Sequence, residues 1–330
     1  MKSKLLLAGA AVAAMSTAVQ AQYTASSVTE ALTVAEMETA LTNAGVSVSG
    51  TSSLDGVALG PGNTVYVIHD DAGDLTVAHI DLGAKSALWA KTESDILSDL
   101  GLSGNLALVG EFVYDPTNQR LVLASNINAT SVGDPWTVFE IDTSAAPYTA
   151  ATILSDASIQ GWNSHDVTST GVIVGALGEE FEVLTGGEPK TGYLDEGTTT
   201  TVFVDLFDVD DLKAATASGS GDEITGELPP ETIGIDLADD TIYVFGHDNF
   251  ELLSIAGLAA TDPVDVEIQG WDDAATPGGS RVDLHGLDVD GNGVVYGFDE
   301  AAEAIVLWDG NDTATDVTSS FTFSSLKTTL

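Results

Sequence analysis

Short apolar runs alternate with polar turns along most of this chain, and the runs recur as a repeated unit. Each unit has an apolar stretch, a turn rich in Gly, Pro, Asn or Asp, a second apolar stretch, a polar turn and a third stretch. β-Branched and aromatic residues between such turns predict β-strands. The units begin 55, 55, 68 and 52 residues apart, at Leu54, Val109, Ser164, Thr232 and Leu284.

A fourth strand follows most units, for example SALWAK (86–91), YTAATIL (148–154) and VDVEIQG (264–270). Four-stranded units at near-even spacing are typical of a β-propeller, so we predict an all-β fold with five blades. The long third interval contains residues 186–201. It predicts an insertion inside one blade, with a hidden sixth blade as the alternative. Residues 216–230 are expected to form a loop.

The start of the chain has a different pattern. Lys2 and Lys4, an apolar stretch over 5–14 and small residues before position 22 predict a secretory signal peptide over 1–21. Residues 28–44 have helical spacing and are predicted to form the one substantial helix. We therefore expect a signal peptide (1–21), an N-terminal helix with a lead-in strand (22–53), and a propeller (54–330). The mature protein is expected to be secreted or periplasmic.

The segment HGLDVDGNGVVYGFDEAAEAIVLWDG (285–310) allows two interpretations. Asp288, Asp290, Asn292 and Gly293 follow the start of an EF-hand calcium loop, with Asp299 at its twelfth position. In the repeat, however, Asn292-Gly293 is the turn of a hairpin. The strand after the turn would carry Asp299 about 20 Å from Asp290, at roughly 3.3 Å per residue. Calcium ligands lie within about 2.6 Å of one ion, so the hairpin excludes an EF-hand.

The stretch GLDVDGNGVVYGFDEAAEAIVLWD (286–309) also resembles a blade of the NHL, gluconolactonase-like or phytase-like esterase propellers. These blades share an apolar strand, a D-x-x-G-N turn, a VYG or LYV strand and a third strand that ends near Asp. The resemblance covers residues 54–310 as repeats and implies the propeller fold. Gluconolactonase-like enzymes hold a divalent metal with acidic and Asn side chains. Those ligands have no residue-by-residue match here, so the resemblance does not transfer the activity.

The charge of the chain narrows the possible partners. The sequence has 9 basic and 51 acidic residues, and removal of Lys2 and Lys4 leaves a net charge of −44. Such a surface repels phosphate backbones and anionic lipids, which excludes nucleic acid and membrane insertion. Adaptation to high salt explains acids spread over the whole chain, and cation binding is the alternative. The sequence has no Cys, hence no disulfide, which suggests a bacterial or archaeal source.

Propeller geometry places four of the five histidines on one face, near the mouth of the central channel. The first strand of a blade starts on the same face as the turn between its second and third strands. His79 falls in a third strand, away from this face. The predicted metal ligands are His165, His285, Asp55, Asp166 and Asp299. The predicted ligand-binding residues are Trp162, Trp271, His69 and His247. The alternative is that the polar residues serve turns and the Trp rings pack between blades.

Two functions remain open from the sequence. One is an exported propeller that binds a small molecule, a glycan or an extracellular protein, with a divalent cation as its only cofactor. The other is a metal-dependent hydrolase of lactonase, phosphatase or esterase type that uses the same face. Imidazole ligands would favour a transition metal, and oxygen ligands alone would favour calcium or magnesium.

The charge generates a first testable prediction. Self-repulsion of about forty net negative charges destabilises the folded state, and salt shortens its reach from roughly 30 Å at 0.01 M to about 3 Å at 1 M. We therefore expect the unfolding midpoint to rise with NaCl over this range. A midpoint that stays flat or falls would mean that the acids are paired or metal-bound.

Overall fold

The computed structural model describes most strands of the predicted propeller. It describes residues 32–48, 52–71, 73–127, 136–155, 159, 161–178, 188–197, 200–217, 230–246, 251–259, 264–265, 284–289, 294–299, 304–308 and 315–316. Within them, twenty strands form five antiparallel sheets of four strands. The four strands of each sheet follow one another along the chain, so each sheet corresponds to one sequence repeat.

The sheets are named blades 1 to 5 in chain order. Blade 1 contains β1 (Ser52–Leu59), β2 (Thr64–Asp71), β3 (Asp74–Asp81) and β4 (Ser86–Thr92). Blade 2 contains β5 (Leu106–Asp115), β6 (Arg120–Ile127), β7 (Trp136–Asp142) and β8 (Ala150–Ser155). Blade 3 contains β9 (Trp162–Val167), β10 (Ile173–Leu177), β11 (Lys190–Asp195) and β12 (Val202–Asp208). Blade 4 contains β13 (Pro230–Asp236), β14 (Thr241–Gly246), β15 (Glu251–Ala256) and β16 (Val264–Asp265). Blade 5 contains β17 (Leu284–Val289), β18 (Val295–Asp299), β19 (Ala304–Trp308) and β20 (Thr315–Asp316).

The innermost strands arrange these sheets as a propeller. The strands β1, β5, β9, β13 and β17 are the first of their blades, and each contacts the next in this order. Every predicted repeat start lies in one of these five strands. The predicted fold, a β-propeller of four-stranded blades with five blades, is therefore confirmed.

The hydrophobic core lies in the seams between blades. One cluster joins blades 1 and 2, a second joins blades 2 and 3, and a third joins blades 3 and 4. Strands inside such a stack are covered on both faces, so apolar residues can follow one another without alternation. All five residues of β10 are buried, for example, and LVLA (121–124) in β6 is buried as well.

The helices differ from the sequence prediction. The predicted N-terminal helix is α1 (Val34–Asn43), which begins with a capping box of Thr33 and Glu36. It is not the only substantial helix, because α2 (Glu93–Leu100) and α3 (Val209–Ala217) follow the fourth strands of blades 1 and 3. None of the helices that the structure describes is long and apolar enough to cross a membrane.

The long third interval also differs from the prediction. Residues 190–195, inside the proposed insertion, form β11, which is the regular third strand of blade 3. Part of the extra length joins β10 to β11, and the rest follows β12 as α3 and residues 218–229. The predicted loop at 216–230 lies mostly outside the described residues. A sixth blade is not needed to explain the interval, because blades 3 and 4 each have four strands without it.

The pairing in blade 5 decides between the hairpin and the EF-hand. Val289 pairs with Val295, and Asp299 pairs with Leu284 at the opposite end of the same two strands. Asp299 is thus carried away from the turn, so the hairpin interpretation is confirmed.

The ends of the strands define two faces of the propeller. The upper face is the one at which the innermost strands begin and the second strands end. The lower face is the one at which the innermost strands end and the second strands begin. The predicted channel mouth lies on the upper face.

Candidate functional site

Several of the predicted upper-face ligands lie outside the described side chains. His247 and Trp271 lie outside the described residues altogether. The backbones of Asp55, His285 and Asp299 lie in β1, β17 and β18, but their side chains are outside the described part. The β17–β18 register places Asp299 opposite the residue before His285, as predicted. The metal site at these three residues stays a prediction.

His165 links blade 3 to blade 2. Its Nδ1 accepts a hydrogen bond from Trp162 Nε1–H at 3.2 Å, and its Nε2 lies 3.1 Å from the carbonyl oxygen of Val122. An indole nitrogen can only donate, so neutral His165 carries its proton on Nε2 and donates to Val122. Both ring nitrogens are therefore used inside the protein. This arrangement does not fit the metal ligand predicted at His165.

Trp162 belongs to the core. Its side chain is 1% exposed and packs in the cluster between blades 2 and 3. The ring lies so close to Gly175 that a Cβ there would come within 2.3 Å of it, which explains why β10 has glycine at this position. A ring in this place does not stack on a ligand from solvent. The ligand-binding prediction for Trp162 is therefore not supported, and the alternative of packing between blades describes it.

Asp166 links the innermost strands of blades 3 and 4. Its Oδ2 accepts a hydrogen bond from the backbone N–H of Ile235 in blade 4 at 3.0 Å. Two similar links are those of Ser164 Oγ with Ile233 N–H and of Thr232 Oγ1 with Leu287 N–H, both 3.1 Å long. Asp166 therefore has a structural role that the sequence did not suggest.

The two remaining histidines of blade 1 are also inside the fold. His69 in β2 is fully buried, at 0% exposure, which does not support the predicted contact with a ligand. His79 lies in β3, away from the upper face as predicted, with Nε2 2.8 Å from Thr64 Oγ1. Among the side chains that the structure describes, no group of three or more His, Asp and Glu is arranged to hold a metal ion.

A cavity of about 570 Å³ opens on the lower face, in the seam between blades 2 and 3. Blade 2 contributes the turn before β6 and the end of β7, and blade 3 contributes the β9–β10 turn and the end of β11. The lining residues are Asn118, Arg120, Glu140, Asp142, Ser144, Gly171, Val172, Tyr193, Leu194, Asp195 and Glu196. None of these residues is among the ligand-binding residues predicted from the sequence.

Arg120 holds the wall of this cavity together. Its Nε donates to Asp115 Oδ2 at 3.0 Å, and its Nη1 donates to Glu140 at 2.9 Å and Glu196 at 2.8 Å. Its Nη2 donates to Glu196 and to the carbonyl oxygen of Gly171. A guanidinium has five N–H groups, and all five have an acceptor here. Arg120 is thus a saturated clamp between the two blades.

Local sequence explains how the clamp forms. Asp115 Oδ1 accepts the backbone N–H groups of Thr117 and Asn118, which closes the turn that brings Arg120 to the start of β6. On the other side of the seam, Gly171 has a positive φ of +80°. A Cβ at Gly171 would lie 2.3 Å from Asn118 Nδ2, so only glycine lets the two turns approach.

The cavity is negatively charged although it contains an arginine. Four lining carboxylates face one guanidinium. Burial alone would lower the pKa of Arg120, but its bonds to Glu196 and Glu140 outweigh burial and raise the pKa, so Arg120 stays charged. Hydrogen bonds from Ser144 lower the pKa of Asp142, which keeps this carboxylate ionised. The walls therefore offer mainly hydrogen-bond acceptors.

An aromatic cluster lies next to the cavity, between blades 1 and 2. Tyr66 stacks on His79 with ring centroids 4.2 Å apart and contacts Tyr114 at 5.1 Å. Burial raises the pKa of Tyr66 to about 12, against a smaller opposite effect of its hydrogen bond with Thr143. Thr143 stands between two cavity residues, Asp142 and Ser144, so the cluster supports the cavity wall from behind.

One signal in the sequence points to Arg120. The chain has only 9 basic residues, so an arginine directly after a DPTNQ turn is a rare residue at a well-defined place. Its partners are not evident from the sequence, because Gly171 and Glu196 lie 51 and 76 residues away.

Several solved structures are similar in shape to this chain at low sequence identity. A nidogen–laminin complex matches with a TM-score of 0.48 and 12% identity, over 81% of this chain and 77% of that one. A gluconolactonase from Xanthomonas campestris matches with a TM-score of 0.48 and 14% identity, over 80% of this chain and 74% of that one. A calcium-binding regucalcin from Agrobacterium tumefaciens matches with a TM-score of 0.46 and 13% identity, over 78% of this chain and 72% of that one. No protein-family model and no curated protein matches the chain. At these values the similarities carry no argument about activity.

The Arg120 clamp generates a prediction for stability. Arg120→Gln leaves the fully buried Asp115 carboxylate without its cation, and loss of one partner of a buried pair costs about 3 kcal/mol or more. Arg120→Lys keeps the charge but loses the five-donor fork, so we expect an intermediate loss. Chemical denaturation measures both. The control Lys85→Gln breaks an exposed pair with Glu36 and should leave the midpoint unchanged. Equal midpoints for all three variants would contradict the clamp.

Tyr66 generates a prediction for alkaline pH. Its pKa is raised from 10.0 to about 12 in the folded state, so folding favours the neutral phenol. The stabilisation is complete below pH 10 and is lost as pH rises towards about 12, because the unfolded chain then ionises first. Free energies of unfolding measured across this window should fall more steeply for the wild type than for Tyr66→Phe. Parallel curves would show that Tyr66 titrates normally.

Proposed function

We propose that this chain is an exported, acidic β-propeller that binds a small ligand in a salt-rich environment. The observation that supports this most is the cavity between blades 2 and 3. Its volume lies in the range of about 300–1,000 Å³ that is common for small-molecule sites. Its walls combine charged groups from two blades around Arg120, which fixes their positions.

The state of Arg120 limits the kind of ligand. All five of its N–H groups already have acceptors, so it has no donor to offer to a phosphate or carboxylate. Glu140 gives one oxygen to Arg120, and Asp142 accepts from the N–H of Ser144 at 2.8 Å. The ligand of this cavity must therefore bring hydrogen-bond donors, and anions are excluded by the surrounding carboxylates.

The predicted cation belongs to the same proposal. The register of blade 5 supports Asp299 and His285 as neighbours on the upper face, where Asp55 begins the channel wall. We propose a divalent cation at these residues, on the face opposite to the cavity. Elemental analysis of the purified protein before and after dialysis against a chelator tests this part of the proposal.

A ligand screen tests the binding function. Thermal unfolding of the mature chain is measured in about 1 M NaCl with a library of neutral, cationic and anionic small molecules. A ligand at about 100 times its Kd stabilises the fold by roughly 2.7 kcal/mol, which is a clear rise in Tm. We expect at least one donor-bearing compound to act in this way, and no anion.

Two cavity variants and a control assign the effect. Ser144→Trp fills the cavity from its rim, and Asp142→Asn removes one wall charge outside the Arg120 clamp. Both should abolish the ligand-dependent rise in Tm. Asp74→Asn removes an exposed carboxylate at the start of β3, on the upper face, and should leave it unchanged. A library with no active compound, or an effect that ignores both cavity variants, would reject this site. Chelator-sensitive turnover of lactones or phosphate esters would instead establish the hydrolase.

A further inference from the structure

Two buried polar atoms on the upper face of blade 2 have no hydrogen-bond partner among the described residues. They are Trp136 Nε1 at the start of β7 and Asn126 Oδ1 near the end of β6. The two residues pair directly across the strands, so their side chains project from the same face of the sheet. A buried donor and a buried acceptor are thus placed side by side without bonding to each other.

The free-energy cost of leaving these two atoms without a hydrogen bond suggests that another molecule binds to them. A buried polar group without a partner costs about 1–3 kcal/mol, and most buried groups in proteins are paired. Trp136 Nε1 and Asn126 Oδ1 both carry this cost and lie next to each other, whereas the nearby hydroxyls of Thr137 and Ser155 form a hydrogen bond of 2.9 Å with each other. A molecule that satisfied both atoms would recover the cost.

The two atoms define the chemistry of that molecule. An indole nitrogen only donates, and an amide oxygen only accepts. The occupant must therefore accept one hydrogen bond and donate another through one small group. A hydroxyl does both. A carboxylate has no proton to give to Asn126, and an ammonium group has no lone pair to accept from Trp136.

The surroundings favour an uncharged ligand. Trp136 is 8% exposed and packs in the same cluster as Trp162. The apolar side chains of that cluster surround the polar nitrogen, so the place suits a neutral hydroxyl compound such as a sugar or polyol rather than an ion. At about 1 M salt, charges are screened beyond roughly 3 Å, but direct hydrogen bonds between neutral groups are not.

We propose that Asn126 and Trp136 form a binding site for a hydroxyl group of a neutral sugar or polyol, separate from the cavity on the lower face. Trp136 Nε1–H donates to the ligand hydroxyl, and the hydroxyl donates to Asn126 Oδ1. This site goes beyond the ligand-binding function proposed above, because it lies on the opposite face from the cavity. It does not use Arg120 or the cavity carboxylates.

The indole N–H of Trp136 reports directly on this site. The mature chain, labelled with ¹⁵N at its tryptophans, is titrated in about 1 M NaCl with glucose, maltose and cellobiose, and separately with acetate and methylammonium. Trp136→Phe assigns the signal. We expect a saturable shift of the Trp136 indole resonance with at least one sugar, and exchange of its proton slowed about tenfold. The charged probes should leave the signal in place.

Trp89 provides a matched control within the same protein. Its Nε1 is also buried and without a partner among the described residues, and it is 8% exposed, but it lies between blades 1 and 2 against Tyr148. Its resonance should not respond to sugar. Trp136→Phe and Asn126→Leu should each weaken sugar binding about tenfold, and Trp89→Phe should leave the affinity unchanged.

The possible results separate this inference from the proposed function. If no sugar moves the Trp136 resonance, a trapped water satisfies the pair and the inference is wrong. The same conclusion holds if Trp89 and Trp136 respond alike. If sugar binding depends on Asp142 and Ser144 but not on Asn126 and Trp136, the sugar binds in the lower-face cavity. The proposed site at Asn126 and Trp136 is then wrong. If no probe binds and the ligand screen also finds no compound, both proposals fail.

Discussion

The fold depends on how a chain with very few cations satisfies a large excess of carboxylates. Lys85, Lys91, Arg120 and Lys190 each form an ion pair in the described residues. Other carboxylates take backbone N–H groups from a neighbouring segment instead. Glu93 accepts from Leu106, Asp166 accepts from Ile235, and Asp240 accepts from Ser169. Backbone donors do not repel one another, so acidic side chains can join blades without adding basic residues.

This constraint also shapes the cavity. In the described part of the chain, Arg120 is the one cation that pairs with three carboxylates, and it lies in the seam where blades 2 and 3 bring their acidic turns together. The clamp keeps these turns close while leaving the cavity negative. The hydrogen bonds that stabilise the seam also occupy every donor of Arg120, so the proposed preference of the cavity for donor-bearing ligands depends on the same set of bonds.

The two faces then differ in chemistry. The lower face has charged groups around an open cavity. The upper face, where the sequence placed the histidines, carries neutral polar groups beside its carboxylates: the Trp162–His165 pair, and the Asn126 and Trp136 atoms that have no partner among the described residues. The proposed recognition by neutral hydrogen bonds does not depend on long-range charge, so salt would change it little.

The sequence by itself determined the architecture. A strand's period of two and its turn residues are local properties, so five repeats, their starting points and the hairpin at Asn292-Gly293 followed from residues close together in the chain. The sequence also determined the charge. Only the tertiary structure decided what the polar side chains do, because the seams join residues far apart in the chain, from 43 to 76 positions in the two examples that follow. His165 links blade 3 to blade 2 through the carbonyl oxygen of Val122, which lies 43 residues away. Arg120 links blade 2 to blade 3 through the carboxylate of Glu196, which lies 76 residues away. Strand periodicity predicts the face of the sheet from which a side chain projects. The packing of the neighbouring blade decides which atom that side chain contacts.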